Sequence, residues 1–406
     1  MIRRWYIGLS SGSSLLGVDA ALVRAEGLGT DVTLHFERFH HYPYSPEMRD
    51  LLIRVTASPT PEMRSLATLH RILGETYAVA ARQLLEQSRR PVQDIMAIGC
   101  PGQSLWHDPE GRYPSTFNLG MMGVLAERTG LTTLSDFSSR DLALGGQGVP
   151  ITALVDALLF HHPHEHRVSL HLGSVATAVS LPAHLGQNCR NVIAFQAAPC
   201  TMLLDGLMRL LTKGRETFDA GGKHAVQGRC LEPLLERWLR HPFFQRRPPK
   251  CVPRSEFGLD FLNGAVEQAQ QLQGNLHDVL CTMTHFVAEA IVHSLQNDLP
   301  AMPTRFLLSG GGVRNGFLWH LLEQKLHPLS LEKTDAHGVP TEACQAVASA
   351  GLAALAMDGV PINLPSVTGA TGARLLGQFT PGSSSNWARC LAWMARQTAP
   401  MQSAAA

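Results

Sequence analysis

The sequence predicts an α/β protein of two lobes with a cleft between them. Three observations carry this: sets of short apolar strands in each half, glycine-rich turns at the strand tips, and helical spacing behind each set. Residues 5–9 and, with Asp19 interrupting, 18–23 are apolar and flank a Gly/Ser-rich loop at 10–17, the pattern of a β-hairpin. A third strand is expected at 32–39, ended by Pro43 and Pro46. Helical spacing follows at 46–56 and at 61–86, where Leu66, Leu69, Leu73, Tyr77 and Ala81 recur every three or four residues. A buried-type strand at 95–99 then leads into Pro101-Gly102-Gln103.

The plan repeats in the second half. Strands are expected at 168–172, 175–180 and 191–195, with Gly173-Ser174 between the first two, and helices at 201–211, 229–240 and 277–296. A strand at 305–308 runs into Ser309-Gly310-Gly311-Gly312-Val313-Arg314-Asn315, where a helix through Leu326 begins. The repetition suggests an internal duplication. The lobes are placed at 1–138 and 139–396, and a tail at 397–406, poor in core residues, is expected to be disordered.

Composition narrows the function. Of 406 residues 45% are hydrophobic and 17% charged, enough for a substantial core. Lys plus Arg at 34 against Asp plus Glu at 33 leave a net +1, which gives no electrostatic footprint for nucleic acid. Eight dispersed cysteines without a C-x-x-C pair fit reduced thiols better than a zinc knuckle or a disulfide scaffold. The first ten residues hold too few apolar side chains for a signal-peptide core, and the apolar stretch at 346–357 is too short for a bilayer. The expectation is a cytoplasmic protein directed at small molecules, without membrane attachment.

Three glycine turns follow buried strands: Ser11-Gly12-Ser13-Ser14 with Gly17, Gly173-Ser174, and Gly310-Gly311-Gly312. Bare backbone amides in such turns can approach phosphate oxygens, so together they suggest a nucleotide, although each alone also fits ordinary turn chemistry. Neither G-x-x-x-x-G-K-[ST] nor G-x-G-x-x-G occurs, which excludes a P-loop and a dinucleotide fingerprint.

The segment Tyr6-Ile7-Gly8-Leu9-Ser10-Ser11-Gly12-Ser13-Ser14-Leu15-Leu16-Gly17-Val18-Asp19-Ala20 resembles the opening phosphate loop of the 1,6-anhydro-N-acetylmuramic acid kinases, a family of the actin, Hsp70 and sugar-kinase fold. Further matches follow in order: 99–107, Asp136-Phe137-Ser138-Ser139-Arg140-Asp141-Leu142-Ala143 with Gly145-Gly146-Gln147-Gly148-Val149-Pro150, then 309–315 and 363–370. The resemblance covers almost the whole chain. It implies ATP-dependent phosphorylation of O6 of the anhydro sugar while water opens the 1,6-anhydro ring, with ATP and Mg²⁺ as cofactors and a homodimer as the assembly. It also implies nucleotide and phosphate contacts at Gly12, Ser13, Ser14, Gly17, Gly173, Gly310, Gly311, Gly312 and Asn315. The sugar contacts it implies are Gln103, Asp136, Arg140, Asp141, Gly146, Gln147 and Glu342.

The chemical groups depart from that pattern. Leu16 stands where the family has the Asp near phosphates and magnesium, and Gln196, in Ala194-Phe195-Gln196-Ala197-Ala198-Pro199-Cys200-Thr201, stands where it has the general-base Asp. An amide orients water but cannot take its proton. Loss of a general base costs about 10²–10⁴-fold in rate. Pro101, Met121, the 174–177 segment and Cys251-Val252-Pro253-Arg254 differ from the family on the same side of the site. No metal ligand is assigned.

Two functions stay open. One is a pseudoenzyme that senses a ligand, such as an anhydro-muramic sugar, or binds a protein partner; the other is an active kinase with its base moved to Asp205 and its metal ligand to Asp19 or Asp136. Asp219 lies at another acidic position of the family. Simpler readings are a solvated turn for Asp136–Asp141, a helix cap for Thr341 and Glu342, a polar strand end for Gln196, and an exposed loop for His161, His162, His164 and His166.

Overall fold

The computed structural model describes residues 2–12, 15–58, 60–253 and 255–403. The chain begins with β1 (Arg3–Ser10), β2 (Gly17–Glu26), β3 (Thr33–Pro43), α1 (Pro46–Ala57), α2 (Met63–Ser88), β4 (Ile95–Gly99), β5 (Gln103–Asp108), β6 (Ser115–Leu119), α3 (Met122–Thr129), β7 (Thr133–Ser135), α4 (Ser139–Leu142) and α5 (Ala153–Phe160). It continues with β8 (Arg167–Leu172), β9 (Val175–Leu181), β10 (Ile193–Pro199), α6 (Thr201–Thr212), α7 (Glu232–Leu239), α8 (Leu259–Gln271), α9 (Leu276–Asp298), β11 (Arg305–Ser309), α10 (Gly316–Leu326) and β12 (Ser330–Lys333). It ends with α11 (Cys344–Met357), α12 (Pro365–Thr368), β13 (Gln378–Thr380) and α13 (Ser384–Ser403).

Two compact α/β units result, one formed by 1–159 with 343–406 and the other by 160–342. The boundary therefore differs from the expected 138/139. Residues 139–159 stay with the first unit because Asp141 bonds to Asn363 and Thr368, and the C-terminal segment returns there because β13 pairs with β7. The expected tail also changes: α13 continues through Ser403, and 404–406 lie outside the described residues.

The first unit is built on a six-stranded sheet in the order β13-β7-β4-β1-β2-β3. The β1–β2 hairpin closes in register from Arg3↔Glu26 to Ser10↔Asp19, which leaves Ser11 and Gly12 at the sheet end. Amphipathic α2 buries Leu69, Leu73, Tyr77 and Ala81 of the stripe read from its spacing, leaves Leu66 half-buried and buries Leu84 as well. Helix α11 packs much closer. A Cβ on Gly8 of β1 would fall 1.7 Å from the Ala346 carbonyl oxygen, and one on Gly99 of β4 would fall 2.0 Å from that of Ser349. Both positions exclude any side chain, so β1 and β4 carry glycine where the helix backbone rests.

The second unit carries a five-stranded sheet in the order β10-β9-β8-β11-β12. One face holds Leu170, Leu172, Ala176, Ala178, Phe195, Phe306 and Leu308 in a core shared with α6, α7, α8, α9 and α10. The opposite face carries a polar row at the strand tips, in which Ser309, His171, Thr177 and Gln196 are successive cross-strand partners. Direct partners in neighbouring strands point to one side of a sheet, so these four side chains share a face.

Candidate functional site

In the first unit the opening loop is anchored from behind. Ser11 Oγ lies 2.7 Å from the hydroxyl of Tyr77, which α2 buries completely, and the Leu16 carbonyl accepts the N–H of Tyr44. Gly12 accepts from Leu15 N, closing the turn, and Leu15 takes a positive φ of 55°. Gly17 belongs to β2, where a Cβ would fall 2.2 Å from the Tyr42 carbonyl oxygen; packing against β3 accounts for it without a phosphate. Ser13 and Ser14 lie outside the described residues. Asp19, at the start of the hairpin's return strand, is paired with His41 Nδ1 at 2.7 Å on the surface.

The other residues assigned to sugar in this unit separate into two groups. Asp141 is fully buried, and its carboxylate accepts from Gly148 N, Asn363 Nδ2 and Thr368 Oγ1 at 2.7–2.8 Å. A Cβ on Gly146 would meet that carboxylate at 2.2 Å, so the 145–148 loop is wrapped around Asp141. These two residues shape the loop rather than reach outward. Asp136 accepts from Ser139 N and Gln378 Nε2, and exposed Arg140 donates to the Leu375 carbonyl.

Gln103 and Gln147 behave differently. Each has its side-chain Oε1 buried without a hydrogen-bond partner among the described residues, a costly arrangement that a donor from a bound ligand would relieve. The Gln147 backbone is fixed on both sides: its N–H donates to the Thr368 carbonyl and its own carbonyl accepts from His107 Nε2 at 2.9 Å. An amide oxygen held in this way suits a sugar hydroxyl.

In the second unit, Gly173 and Gly310 occupy neighbouring strand tips, because β8 and β11 pair in parallel through His171↔Ser309. Gly310 has a φ of +86°, open to glycine, and a Cβ there would fall 2.7 Å from the Leu172 carbonyl oxygen. Gly312 packs with its Cα against Leu172, whereas Gly311 faces open space apart from Arg314. Bare backbone at these tips fits a phosphate group. Asn315 has a local role, as the N-cap of α10, with Oδ1 accepting from Leu318 N at 3.0 Å. Exposed Glu342 follows Thr341, whose carbonyl accepts the Gly310 N–H.

Gln196 is held as a structural tie. Its Oε1 accepts from Val252 N at 2.8 Å and its backbone N–H donates to the Lys250 carbonyl. Beneath the same strand lies a feature that sequence reading missed. Lys250 Nζ, 1% exposed, sits 2.5 Å from the buried Asp298 carboxylate, and Ser294 Oγ next to it donates to the Ala197 carbonyl. A lone lysine in a Pro/Arg-rich stretch carries no periodicity that marks it as buried. His171 was also missed, although a histidine in an apolar strand two residues before a glycine was a readable signal.

The acidic alternatives are placed as follows. Asp205 is buried on α6, and the Asp219 carboxylate accepts from His224 N and Ala225 N. Leu16 puts an apolar side chain where the resemblance implies the carboxylate near magnesium, and among the described residues no cluster of three His, Cys, Asp or Glu side chains is placed to hold a metal by itself. The histidines at 161–166 enter local bonds, with His161 Nε2 donating to the Ala183 carbonyl and His166 Nε2 lying 2.8 Å from Ser180 Oγ. Among the described residues no two cysteines form a disulfide. Among the described residues no helix is long and apolar enough to cross a membrane.

Comparison with known proteins agrees with the motifs. The family model described as anhydro-N-acetylmuramic acid kinase matches residues 4–382. An anhydro-N-acetylmuramic acid kinase of Acaryochloris marina is 35% identical over 376 residues, covering 92% of this chain and 98% of the relative. One from Salinibacter ruber is 36% identical over 389 residues, covering 94% and 97%. With near-complete coverage on both sides, the chain belongs to the anhydro-N-acetylmuramic acid kinase family.

Proposed function

We propose that this protein keeps the ligand sites of its family and has lost, or greatly reduced, phosphotransfer, so that it acts as a sensor of an anhydro-muramic sugar and nucleotide. The observation that carries the reading is Gln196: a side chain without a proton-accepting carboxylate occupies the base position, and its oxygen is spent on Val252 N. Supporting it, Leu16 offers no oxygen to a metal-bound water, while the unpartnered oxygens of Gln103 and Gln147 remain ready to receive sugar hydroxyls. Binding is thus supported by groups that survive, and turnover is opposed by groups that changed.

A second reading, an active kinase with a relocated base, draws on Asp205, which is buried on the helix directly after β10. Calorimetry with ATP·Mg²⁺ and anhydro-N-acetylmuramic acid, separately and together, followed by a phosphate-transfer assay, decides between them. Binding without product supports the sensor; robust sugar-dependent product overturns it.

A further inference from the structure

His171 stands at the meeting point of the two glycine turns of the second unit. It is paired across the sheet with Ser309 and Thr177, and its Nδ1 lies 3.0 Å from Ser309 Oγ. The other edge of the ring borders both turns. A Cβ on Gly173 would fall 2.9 Å from His171 Nε2, and a Cβ on Gly310 would fall 2.8 Å from its Cε1. The turns therefore carry glycine partly because the imidazole fills the space that side chains would need.

Ser309 is itself buried at 3% exposure. Assigning the hydroxyl as the donor to Nδ1 leaves the ring proton on Nε2, the nitrogen that borders the Gly173 turn. Burial alone pushes the imidazole down to about 4, with no charged side chain contributing, so the ring is neutral near pH 7 and Nε2 is a donor.

We propose that His171 Nε2–H donates a hydrogen bond to a phosphate oxygen of a nucleotide seated at the Gly173 and Gly310 turns. This rests on the nucleotide-binding half of the proposed function. It adds a side-chain donor to a site otherwise made of backbone, and it gives the polar row across the sheet a role at its nucleotide end.

The test is calorimetric titration of the full-length protein with ATP·Mg²⁺ and, separately, with adenosine. His171→Phe keeps the bulk between the turns and removes the donor; His171→Gln keeps an N–H. The Phe variant is expected to weaken ATP·Mg²⁺ by about tenfold or more, and the Gln variant by about threefold or less, with adenosine affinity and thermal unfolding unchanged in both. Undiminished ATP·Mg²⁺ binding by the Phe variant, or equal weakening of ATP·Mg²⁺ and adenosine, overturns the role of His171 and leaves the nucleotide site standing. No binding of either compound by folded wild-type protein removes the nucleotide reading itself, and this proposal with it. Should the Phe variant not fold, Ser309→Ala keeps the ring but releases its tautomer: a severalfold loss of ATP·Mg²⁺ affinity supports the assignment and an unchanged affinity overturns it.

Discussion

Gln196 Oε1 accepts the backbone N–H of Val252 at 2.8 Å, which joins β10 to the 250–252 segment through the very position where the family pattern has its base. Truncation to alanine leaves that N–H without its partner and is expected to cost about 1–3 kcal/mol of stability. Gln196→Asp alone restores a proton acceptor but not the second missing carboxylate. Gln196→Asp combined with Leu16→Asp is expected to raise sugar-dependent ADP release at least about 100-fold above wild type. Wild-type turnover equal to that of the double variant would show that the reaction centre lies elsewhere.

At Asp141, where the resemblance implies a sugar contact, the buried carboxylate receives three donors from Gly148, Asn363 and Thr368. Asp141→Ala orphans all of them and is expected to cost about 3–5 kcal/mol in urea unfolding. Arg140→Ala, one residue away but exposed, is expected to change stability by less than about 0.5 kcal/mol. If Asp141→Ala retained full stability and lost only sugar affinity, the carboxylate would be a ligand contact after all.

Apolar patterning made α2, β1 to β4 and β8 to β11 readable, because these elements carry the buried residues of the two sheets and their packing. The short strands β5, β6, β7, β12 and β13 escaped, since runs of three to six residues carry little period. The unit boundary was invisible for another reason. It depends on β13 pairing with β7 and on α11 lying against β1, contacts between segments far apart in the chain. At the site, the glycines were legible as turns, but residue type could not separate Gly17 and Gly146, fixed by packing, from Gly310, fixed by its positive φ. The orphaned oxygens of Gln103 and Gln147 likewise need coordinates to be seen.

The Lys250–Asp298 pair tests what holds β10 in place. Burial pushes the lysine ammonium below its ordinary range, and Asp298 opposes that shift. Lys250→Met strands a carboxylate that is 2% exposed, with, among the described residues, only the solvent-facing Arg247 at 3.5 Å as a substitute. A loss of about 3–5 kcal/mol is expected, largely recovered when Asp298→Leu is added, since the penalty comes from the unpaired charge. A double-mutant cycle by chemical denaturation checks this; additive losses would mean that the two groups do not act as a pair.

His171 also sets a pH dependence of folding. Its imidazole titrates at about 4 in the folded protein, from an ordinary value of 6.5. Between those values the unfolded chain holds more protons, so stability rises with pH through that window. The contribution is complete above about pH 6.5 and is lost as pH falls to about 4, amounting to about 3 kcal/mol. His171→Asn removes the titrating group. Urea unfolding of both proteins from pH 4.5 to 7.5 should show wild type losing ground to the variant steadily as pH falls below 6.5. Parallel pH curves would mean that the ring is solvated in the folded state, and the wedge between Gly173 and Gly310 would then lack its energetic basis.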